Sequence, residues 1–202
     1  RSVAESEFLK RLPFELTAAQ RRVSMEIGDD LGNDQPMLRL VHGDVGSGKT
    51  VVAALATLRA ADNDYQTAIS APTELLAEQH LRVFSAWLEP LGIEPVWLSG
   101  KVLGKKRTEA LQRIADGAEV IIGTHALMQK GVEFRNLGLV IIDEQHRFGV
   151  HQRMSLLEKG GTGDQQAHQL IMTATPIPRT LAMTAYAGME ISVIDELPPG
   201  RK

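Results

Sequence analysis

The sequence contains no cysteine, and this absence excludes two kinds of architecture. Because none of the 202 residues is Cys, neither a disulfide framework nor a thiolate metal site can form within the chain. A chain without thiols is compatible with a reducing compartment, so we expect a cytoplasmic location.

The chain also lacks a long apolar run and a strong charge of either sign. Its opening residues, RSVAESEFLKRLPF, carry charges where a signal peptide has its apolar core, so we expect neither secretion nor a membrane partner. The formal net charge is −3, and nucleic-acid binding would therefore rest on local clusters. One such cluster is Lys105, Lys106 and Arg107, with Lys101 close by. Its alternative interpretation is a solvated helix start.

Apolar strand-like segments alternate with helix-like segments along the chain. Hydrophobic residues make up 43% of the sequence, enough for one sizeable core. The predicted strands lie at residues 37–42, 66–71, 94–99, 118–124, 137–143, 168–174 and 190–196. The predicted helices lie at residues 50–61, 73–88, 105–117, 150–159 and 178–187. This alternation predicts an α/β fold in three layers, α/β/α, around a mostly parallel sheet.

One helix carries a stripe of large apolar side chains. In residues 73–88 these side chains recur at helical spacing, and we assign them to the core. The stripe consists of Leu76, Val83, Phe84, Trp87 and Leu88.

The stretch GDVGSGKT, from Gly43 to Thr50, fits the pattern G-x-x-x-x-G-K-[ST] between a strand and a helix. Glycines let successive N–H groups point inward, and the helix N-terminus adds positive potential, so the loop can cradle phosphate. Lys49 would reach the β- and γ-phosphates, and the Thr50 hydroxyl would bind Mg²⁺. The alternative is an ordinary glycine-rich turn. The residues assigned to this loop are Gly43, Asp44, Val45, Gly46, Ser47, Gly48, Lys49 and Thr50.

A second polar stretch follows the strand that ends at Asp143. We expect Asp143 to hold Mg²⁺ through its water shell, and Glu144 to orient or deprotonate the water that attacks the γ-phosphate. Lys49, Asp143 and Glu144 are therefore the candidate catalytic residues for ATP hydrolysis. A rival interpretation is a metal site made by Asp143, Glu144 and His146, but Mg²⁺ bound with ATP uses few protein ligands and no histidine.

These stretches occur in an order that resembles the superfamily-two helicases. The segments 71–80, 123–127, 143–146 and 173–175 look like motifs Ia, Ib, II and III. More narrowly, four segments resemble the RecG-type family of bacterial fork-remodelling helicases: LPFELTAAQ, HGDVGSGKT, VIIDEQHRFGVHQR and MTATPIPRTLAMTAY. The resemblance implies a RecA-like P-loop motor domain that uses ATP and Mg²⁺ and acts on branched or duplex DNA. Its nearest alternative is the transcription-repair coupling factors, which share RFGV and TATPIPRTL.

The resemblance assigns further residues. It implies that Phe14 packs on adenine and that Gln20 hydrogen-bonds its edge, although an amphipathic helix beginning at Thr17 would explain the same residues. It also implies that Thr73 and Thr124 touch DNA phosphates, for which plain N-capping is the alternative.

The residues of motifs II and III form one joint hypothesis. The resemblance implies that His146 bonds motif III and relays the state of the γ-phosphate. The sequence assigns no role to Arg147, Arg153 or Arg179. The coupling residues are Asp143, Glu144, Gln145, His146, Thr173, Ala174 and Thr175.

The chain divides into three parts by this interpretation. Residues 1–34 form a lead with the adenine motif, residues 35–196 form the first motor domain, and residues 197–202 begin a linker. The expected partners in a parent chain are a second RecA-like domain and a DNA-recognition domain. Because the second domain supplies the arginine that meets γ-phosphate charge, we expect these residues alone to bind nucleotide but hydrolyse it slowly. A metabolic kinase and a non-catalytic nucleotide-dependent module are the functional alternatives.

Overall fold

The computed structural model describes residues 2–44, 48–143, 166–174 and 189–195. The strands in these ranges are β1 (Leu38–Gly43), β2 (Gln66–Ser70), β3 (Val96–Leu98), β4 (Val120–Gly123), β5 (Leu137–Asp143), β6 (His168–Thr173) and β7 (Glu190–Ile194). The helices are α1 (Val3–Arg11), α2 (Ala18–Leu31), α3 (Lys49–Asp62), α4 (Glu74–Leu88) and α5 (Gly104–Ala115), with short 3-10 turns at Glu89–Leu91 and His125–Met128. The predicted helices at 150–159 and 178–187 lie outside the described residues.

The strands form one seven-stranded sheet in the order β3-β4-β2-β5-β6-β1-β7. Each described pairing is parallel, which confirms the predicted sheet. Strand β6 separates β1 from β5, with His42 beside Thr173 and Asp143 beside Met172. The carboxyl ends of β1, β5 and β6 therefore meet at one edge of the sheet.

The sheet has an apolar core on each face, as the three-layer prediction requires. Successive side chains of a strand point to opposite faces, and in β5 Ile141 joins one core whereas Val140 and Ile142 join the other. The first core packs against α1, α2, α3 and α4, and the second packs against α5. Strands buried on both faces explain the nearly continuous apolar runs in the sequence.

The amino-terminal lead consists of two capped helices. Thr17 caps α2 in a capping box, in which the Thr17 hydroxyl accepts from the Gln20 N–H at 3.1 Å and Gln20 Oε1 accepts from the Thr17 N–H at 2.9 Å. Helix α1 has no counterpart in the predicted elements. It buries Phe8 edge-on against Trp87 of α4, with ring centroids 5.5 Å apart.

A buried ionic network joins α2 to the sheet. Arg39 of β1 donates to Asp30 at 2.7 Å, to Glu26 at 3.2 Å and to the Ser192 hydroxyl at 2.7 Å. Because Arg39 is only 8% exposed, these partners satisfy a charge that would be costly to bury alone. The network fixes α2 beside β1 and β7, and so sets where Gln20 lies.

The apolar stripe of α4 differs in part from the prediction. Phe84 and Leu88 are buried as expected, but Leu76, Val83 and Trp87 are only half-buried. The fully buried line instead runs through Ala77, His80, Phe84 and Leu88. A histidine therefore lies inside the stripe.

None of the helices in the described residues has the length and apolar character that a membrane span needs.

Candidate nucleotide site

The carboxyl edge of the sheet collects the segments that the sequence assigned to function. Strands β1, β4, β5 and β6 end there at Gly43, Gly123, Asp143 and Thr173. Open α/β sheets hold ligands at this edge, where strand ends and helix N-termini face the same crevice. The fold therefore brings the described ends of the predicted phosphate loop, the start of motif Ib, Asp143 of motif II and Thr173 of motif III to one side of the sheet.

The phosphate loop leads directly into α3. Gly48 caps this helix with a left-handed backbone, φ +86°, and offers no side chain to the N-terminal N–H groups. Those groups and the helix dipole are thus available to an anion. Val45, Gly46 and Ser47 lie outside the described residues, so the inward curl expected of the middle of the loop stays a prediction.

Lys49 lies on the first turn of α3 and reaches back across the end of β1. Its Nζ donates to the carbonyl oxygen of Gly43 at 2.5 Å and to that of Asp44 at 3.3 Å. Burial lowers the pKa of Lys49, and the carboxylates of Asp143 and Asp44 oppose that shift. Two backbone carbonyls therefore hold the amine at the mouth of the loop, within the electrostatic reach of the acid that ends β5.

Asp143 ends β5 and is nearly buried, with 9% of its surface exposed. Its Oδ2 lies 2.6 Å from Nε2 of His80 on α4. Because an ionised carboxylate only accepts hydrogen bonds, the histidine Nε2–H donates. Glu144, Gln145 and His146 lie outside the described residues, as do Arg147, Arg153 and Arg179, so the rival metal site and the proposed relay stay predictions.

Sequence reasoning missed His80, although a signal was present. Ala77, His80, Phe84 and Leu88 are spaced by three or four residues, the spacing of one helix face. A polar ring in an otherwise apolar line needs a partner, because an unpaired polar group is costly to bury. The sequence did not indicate that this partner would be a carboxylate 63 residues away.

Two described residues at the carboxyl edge of the sheet have side chains that suit a magnesium ion. Mg²⁺ prefers hard oxygen donors and keeps several of its waters. Asp143 supplies carboxylate oxygens, and Thr50, half-buried in the first turn of α3, supplies a hydroxyl. These two are the residues that would hold the ion beside a nucleotide.

Gln20 lies against the phosphate loop. A β-carbon built on Gly48 would overlap Gln20 Nε2, so the amide and the loop are in contact. Gln20 is 1% exposed and takes part in the capping box, whereas Phe14 is 37% exposed. The interpretation as a capped helix at Thr17 is confirmed, and adenine recognition by Phe14 and Gln20 stays a prediction.

Thr73 and Thr124 are both helix caps at this edge of the sheet. The Thr73 hydroxyl accepts from the Leu76 N–H at 3.3 Å, and the Thr124 hydroxyl accepts from the Ala126 N–H at 3.4 Å. Thr73 is exposed and Thr124 is buried. N-capping is therefore confirmed for both, and contact with DNA phosphates stays a prediction.

Motif III follows the strand that lies between the two nucleotide motifs. Thr173 is buried at the end of β6 and Ala174 is half-buried just after it. Strand β6 pairs with both β1 and β5. Its carboxyl end therefore lies between the strands that end at Gly43 and Asp143. The position suits the predicted coupling role, whereas Thr175 lies outside the described residues.

The basic cluster occupies the exposed start of α5. Lys101, Lys105 and Lys106 are exposed, and Arg107 donates to Gln129 Oε1 at 3.1 Å. This placement agrees with the interpretation of the cluster as a solvated helix start.

A cavity of about 610 Å³ lies at the opposite edge of the sheet, between the end of α2 and the start of β5, away from the phosphate loop.

Comparisons with known proteins agree with this arrangement. The family model for DEAD/DEAH box helicases matches residues 17–184. The chain is 62% identical over 198 residues to the ATP-dependent DNA helicase RecG of Haemophilus influenzae and 61% identical over 198 residues to that of Escherichia coli K12. In both cases the match covers 98% of this chain and 29% of the relative. The chain therefore spans less than a third of the length of these relatives.

Solved structures give the same result. A structure of RecG bound to a three-way DNA junction superimposes with a TM-score of 0.83 at 44% identity, over 98% of this chain and 26% of that one. The helicase MrfA bound to DNA superimposes with a TM-score of 0.71 at 17% identity, over 95% of this chain and 29% of that one, which supports the fold alone. This chain belongs to the DEAD/DEAH box helicase family, and over nearly its whole length it is similar to the RecG helicases.

Proposed function

We propose that this chain is the first motor domain of an ATP-driven DNA helicase that remodels branched DNA and stalled replication forks. The observation that carries the proposal is the convergence of Lys49 and Asp143 at the carboxyl edge of the sheet. A lysine from a glycine-rich loop and an acid from a neighbouring strand end are the protein groups that a magnesium-bound triphosphate requires.

Each residue in the site has a distinct task in this proposal. The N-terminus of α3 and the loop of Gly43 to Thr50 bind phosphate oxygens, and Lys49 leaves its backbone carbonyls to meet the β- and γ-phosphates. Thr50 and Asp143 would hold Mg²⁺, which would neutralise charge on the phosphates. Glu144 orients the attacking water. Phe14 and Gln20 bind the adenine ring.

The DNA substrate is proposed from the relatives. A similar solved protein is RecG bound to a three-way DNA junction, and the capped strand ends at Thr73 and Thr124 are suited to phosphate contacts without base specificity. The full-length protein would act on branched or duplex DNA through further domains. Since its substrate would be chromosomal DNA, we place it in the bacterial cytoplasm.

The motor reaction requires a second RecA-like domain. Phosphoryl transfer gains about 10³- to 10⁵-fold from an arginine that meets the charge on the γ-phosphate, and in this family of motors the second domain supplies it. The isolated chain would therefore bind Mg·ATP and turn it over slowly. Brisk DNA-stimulated hydrolysis by these residues alone would contradict this part of the proposal.

The relatives also bear on the alternatives. Both curated relatives described above are RecG helicases, which favours RecG over a transcription-repair coupling factor. Membership of a helicase family likewise favours a motor over a metabolic kinase. A non-catalytic interaction module would be supported only if Glu144→Gln left ATP turnover by the full-length protein intact.

Nucleotide binding tests the proposal directly. A fluorescent ATP analogue titrated with Mg²⁺ should bind the full-length protein, and Lys49→Ala should abolish that binding. Lys105→Ala provides the matched control, because the Lys105 side chain is 91% exposed and lies on α5. Equal binding by all three proteins, or no binding by the unmodified one, would overturn the proposed site.

A further inference from the structure

The contact between His80 and Asp143 joins helix α4 to the end of β5. The two side chains are 11% and 13% exposed, and Nε2 and Oδ2 are 2.6 Å apart. The histidine ring also packs edge-on to Phe84, with centroids 6.4 Å apart. A single ring therefore belongs both to the apolar core under α4 and to the acid at the nucleotide site.

The contact is a strong one by its geometry. Hydrogen bonds to an ionised carboxylate are shorter and stronger than those between neutral groups. The separation of 2.6 Å is slightly below the usual range of about 2.7–3.2 Å for nitrogen donors. A histidine in an apolar helix stripe must bond to something, and Asp143 is the partner. Both groups are nearly buried, so solvent competes little for either.

The hydrogen bond from His80 occupies only one of the two carboxylate oxygens of Asp143. His80 occupies Oδ2, so Oδ1 is the oxygen available to the water shell of a metal ion. Lys49 acts on Asp143 electrostatically, but its described hydrogen bonds go to the carbonyls of Gly43 and Asp44. Within the described residues, His80 is thus the donor that fixes the rotation of the carboxylate.

We infer that His80 is a positioning residue for magnesium, which acts by holding the Asp143 carboxylate in the orientation that the hydrated ion requires. The inference rests on the proposed function, in which Asp143 holds Mg²⁺ beside a nucleotide. Partners that hydrogen-bond a metal-binding carboxylate orient it and tune its affinity. Without His80, the carboxylate is free to turn toward Lys49, where an ion pair would compete with both the metal and the phosphates.

Magnesium-dependent nucleotide binding by the full-length protein tests the inference without relying on turnover. A fluorescent ATP analogue is titrated first in EDTA and then at increasing Mg²⁺. We expect His80→Leu to bind the analogue normally in EDTA, but to need about 10-fold more Mg²⁺ for the metal-dependent gain in affinity. His80→Gln, whose amide nitrogen can take the place of Nε2, should restore the normal requirement.

Phe84→Leu is the matched control for loss of packing. It lies on the same buried line of α4 and does not bond Asp143, so it should lower stability but leave the Mg²⁺ requirement unchanged. If His80→Leu does not fold, His80→Asn replaces it, because the shorter amide cannot reach Asp143. The same shift in Mg²⁺ requirement is then expected.

The possible outcomes distinguish failure of this inference from failure of the proposed function on which it rests. An unmodified protein that gains no affinity from Mg²⁺ would contradict the proposed function. An unmodified protein that does gain affinity, together with a His80→Leu or His80→Asn variant of unchanged requirement, would overturn only the role of His80. A variant that binds equally poorly with and without Mg²⁺ would also overturn it, since packing alone would then explain the contact.

Discussion

The side-chain amide of Gln20 lies against the α-carbon of Gly48, so that helix α2 and the phosphate loop meet at one point. A β-carbon on Gly48 would overlap Gln20 Nε2. The backbone of Gly48 has φ +86°, a left-handed conformation that costs an L-residue about 1–2 kcal/mol. The position therefore requires glycine for two independent reasons.

Gly48→Ala should disrupt both the loop and the cap of α2. Backbone strain together with displacement of Gln20 from its capping box should lower the free energy of unfolding by about 2–3 kcal/mol and weaken nucleotide binding. Gly92→Ala is the matched control, since its φ is +82° and nothing lies within 4 Å of the added carbon. Urea unfolding and nucleotide titration of both variants measure the difference, and equal losses would show that Gln20 does not constrain the loop.

Substitution of Thr73 by aspartate should separate helix capping from DNA contact. Aspartate caps at least as well as threonine, so Thr73→Asp should retain stability, whereas Thr73→Ala should lose about 0.5–2 kcal/mol. The added charge should repel a phosphate and weaken binding of forked DNA by the full-length protein, measured across a range of salt concentrations. Ser2→Asp adds the same charge at the N-cap of α1. If both aspartate variants bind DNA normally, Thr73 is a cap only.

Acidification should lower the stability of the chain, because His168 is protonated more readily in the unfolded chain than in the folded one. Its Nδ1 accepts from the Met37 N–H at 2.8 Å, and burial lowers the pKa of His168, with Asp30 partly opposing the shift. Between the unfolded pKa near 6.5 and the lower folded pKa, the unfolded chain binds a proton that the folded chain does not. Stability is therefore lost as pH falls through this window, by at most about 1.4 kcal/mol per pH unit.

His168→Asn isolates this effect, because asparagine keeps an acceptor for Met37 but cannot be protonated. Urea unfolding between pH 7.5 and 5.5, chosen to bracket roughly the ordinary histidine pKa, should give a flatter stability profile for the variant. Other titrating groups cancel in the difference between the two proteins. Parallel profiles would exclude His168 as the source of acid sensitivity.

Gln66 should be among the costlier polar residues to replace. Its Nε2 donates to the carbonyls of Ile114 and Ala118, each at 2.9 Å, and its Oε1 accepts from the Asn136 N–H at 2.8 Å. Gln66→Leu would remove the partner of the Ala118 carbonyl and of the Asn136 N–H, whereas the Ile114 carbonyl still accepts from the Gly117 N–H at 3.1 Å. The change should cost about 2–4 kcal/mol in unfolding free energy. Gln112→Leu removes an exposed bond to Asp116 and should change stability by less than about 0.5 kcal/mol. Similar losses of stability in the two variants would contradict a structural role for the buried hydrogen bonds of Gln66.

Local patterns were sufficient to predict most of the described fold. Buried parallel strands read as apolar runs, so β5 was predicted with its observed bounds and β1 began one residue later than predicted. Helix α1 was missed because Val3–Arg11 is charged and has a single large buried side chain, Phe8. The predicted strand at 94–99 was too long, since only Val96–Leu98 pairs with β4.

The site was predictable in its motifs but not in its contacts. Lys49 and Asp143 each stand in a recognisable local pattern, and a parallel sheet brings their strand ends to the same edge. The bond of His80 to Asp143 and the contact of Gln20 with Gly48 depend on how α4 and α2 lie across the sheet. Such packing is set by side chains far apart in sequence, and no short pattern encodes it.

The parallel sheet has a carboxyl edge, where the candidate nucleotide site lies, and an opposite amino edge, where the strands begin. The turn around Asn33 and Asp34, between α2 and β1, lies at the edge opposite the phosphate loop, beside the starts of β5 and β6. Because this chain contains no cysteine, a single thiol placed at exposed Asp34 would accept a dye as the sole reactive sulfur of the domain. Such a label would report on movements of the domain from the edge opposite the phosphate loop.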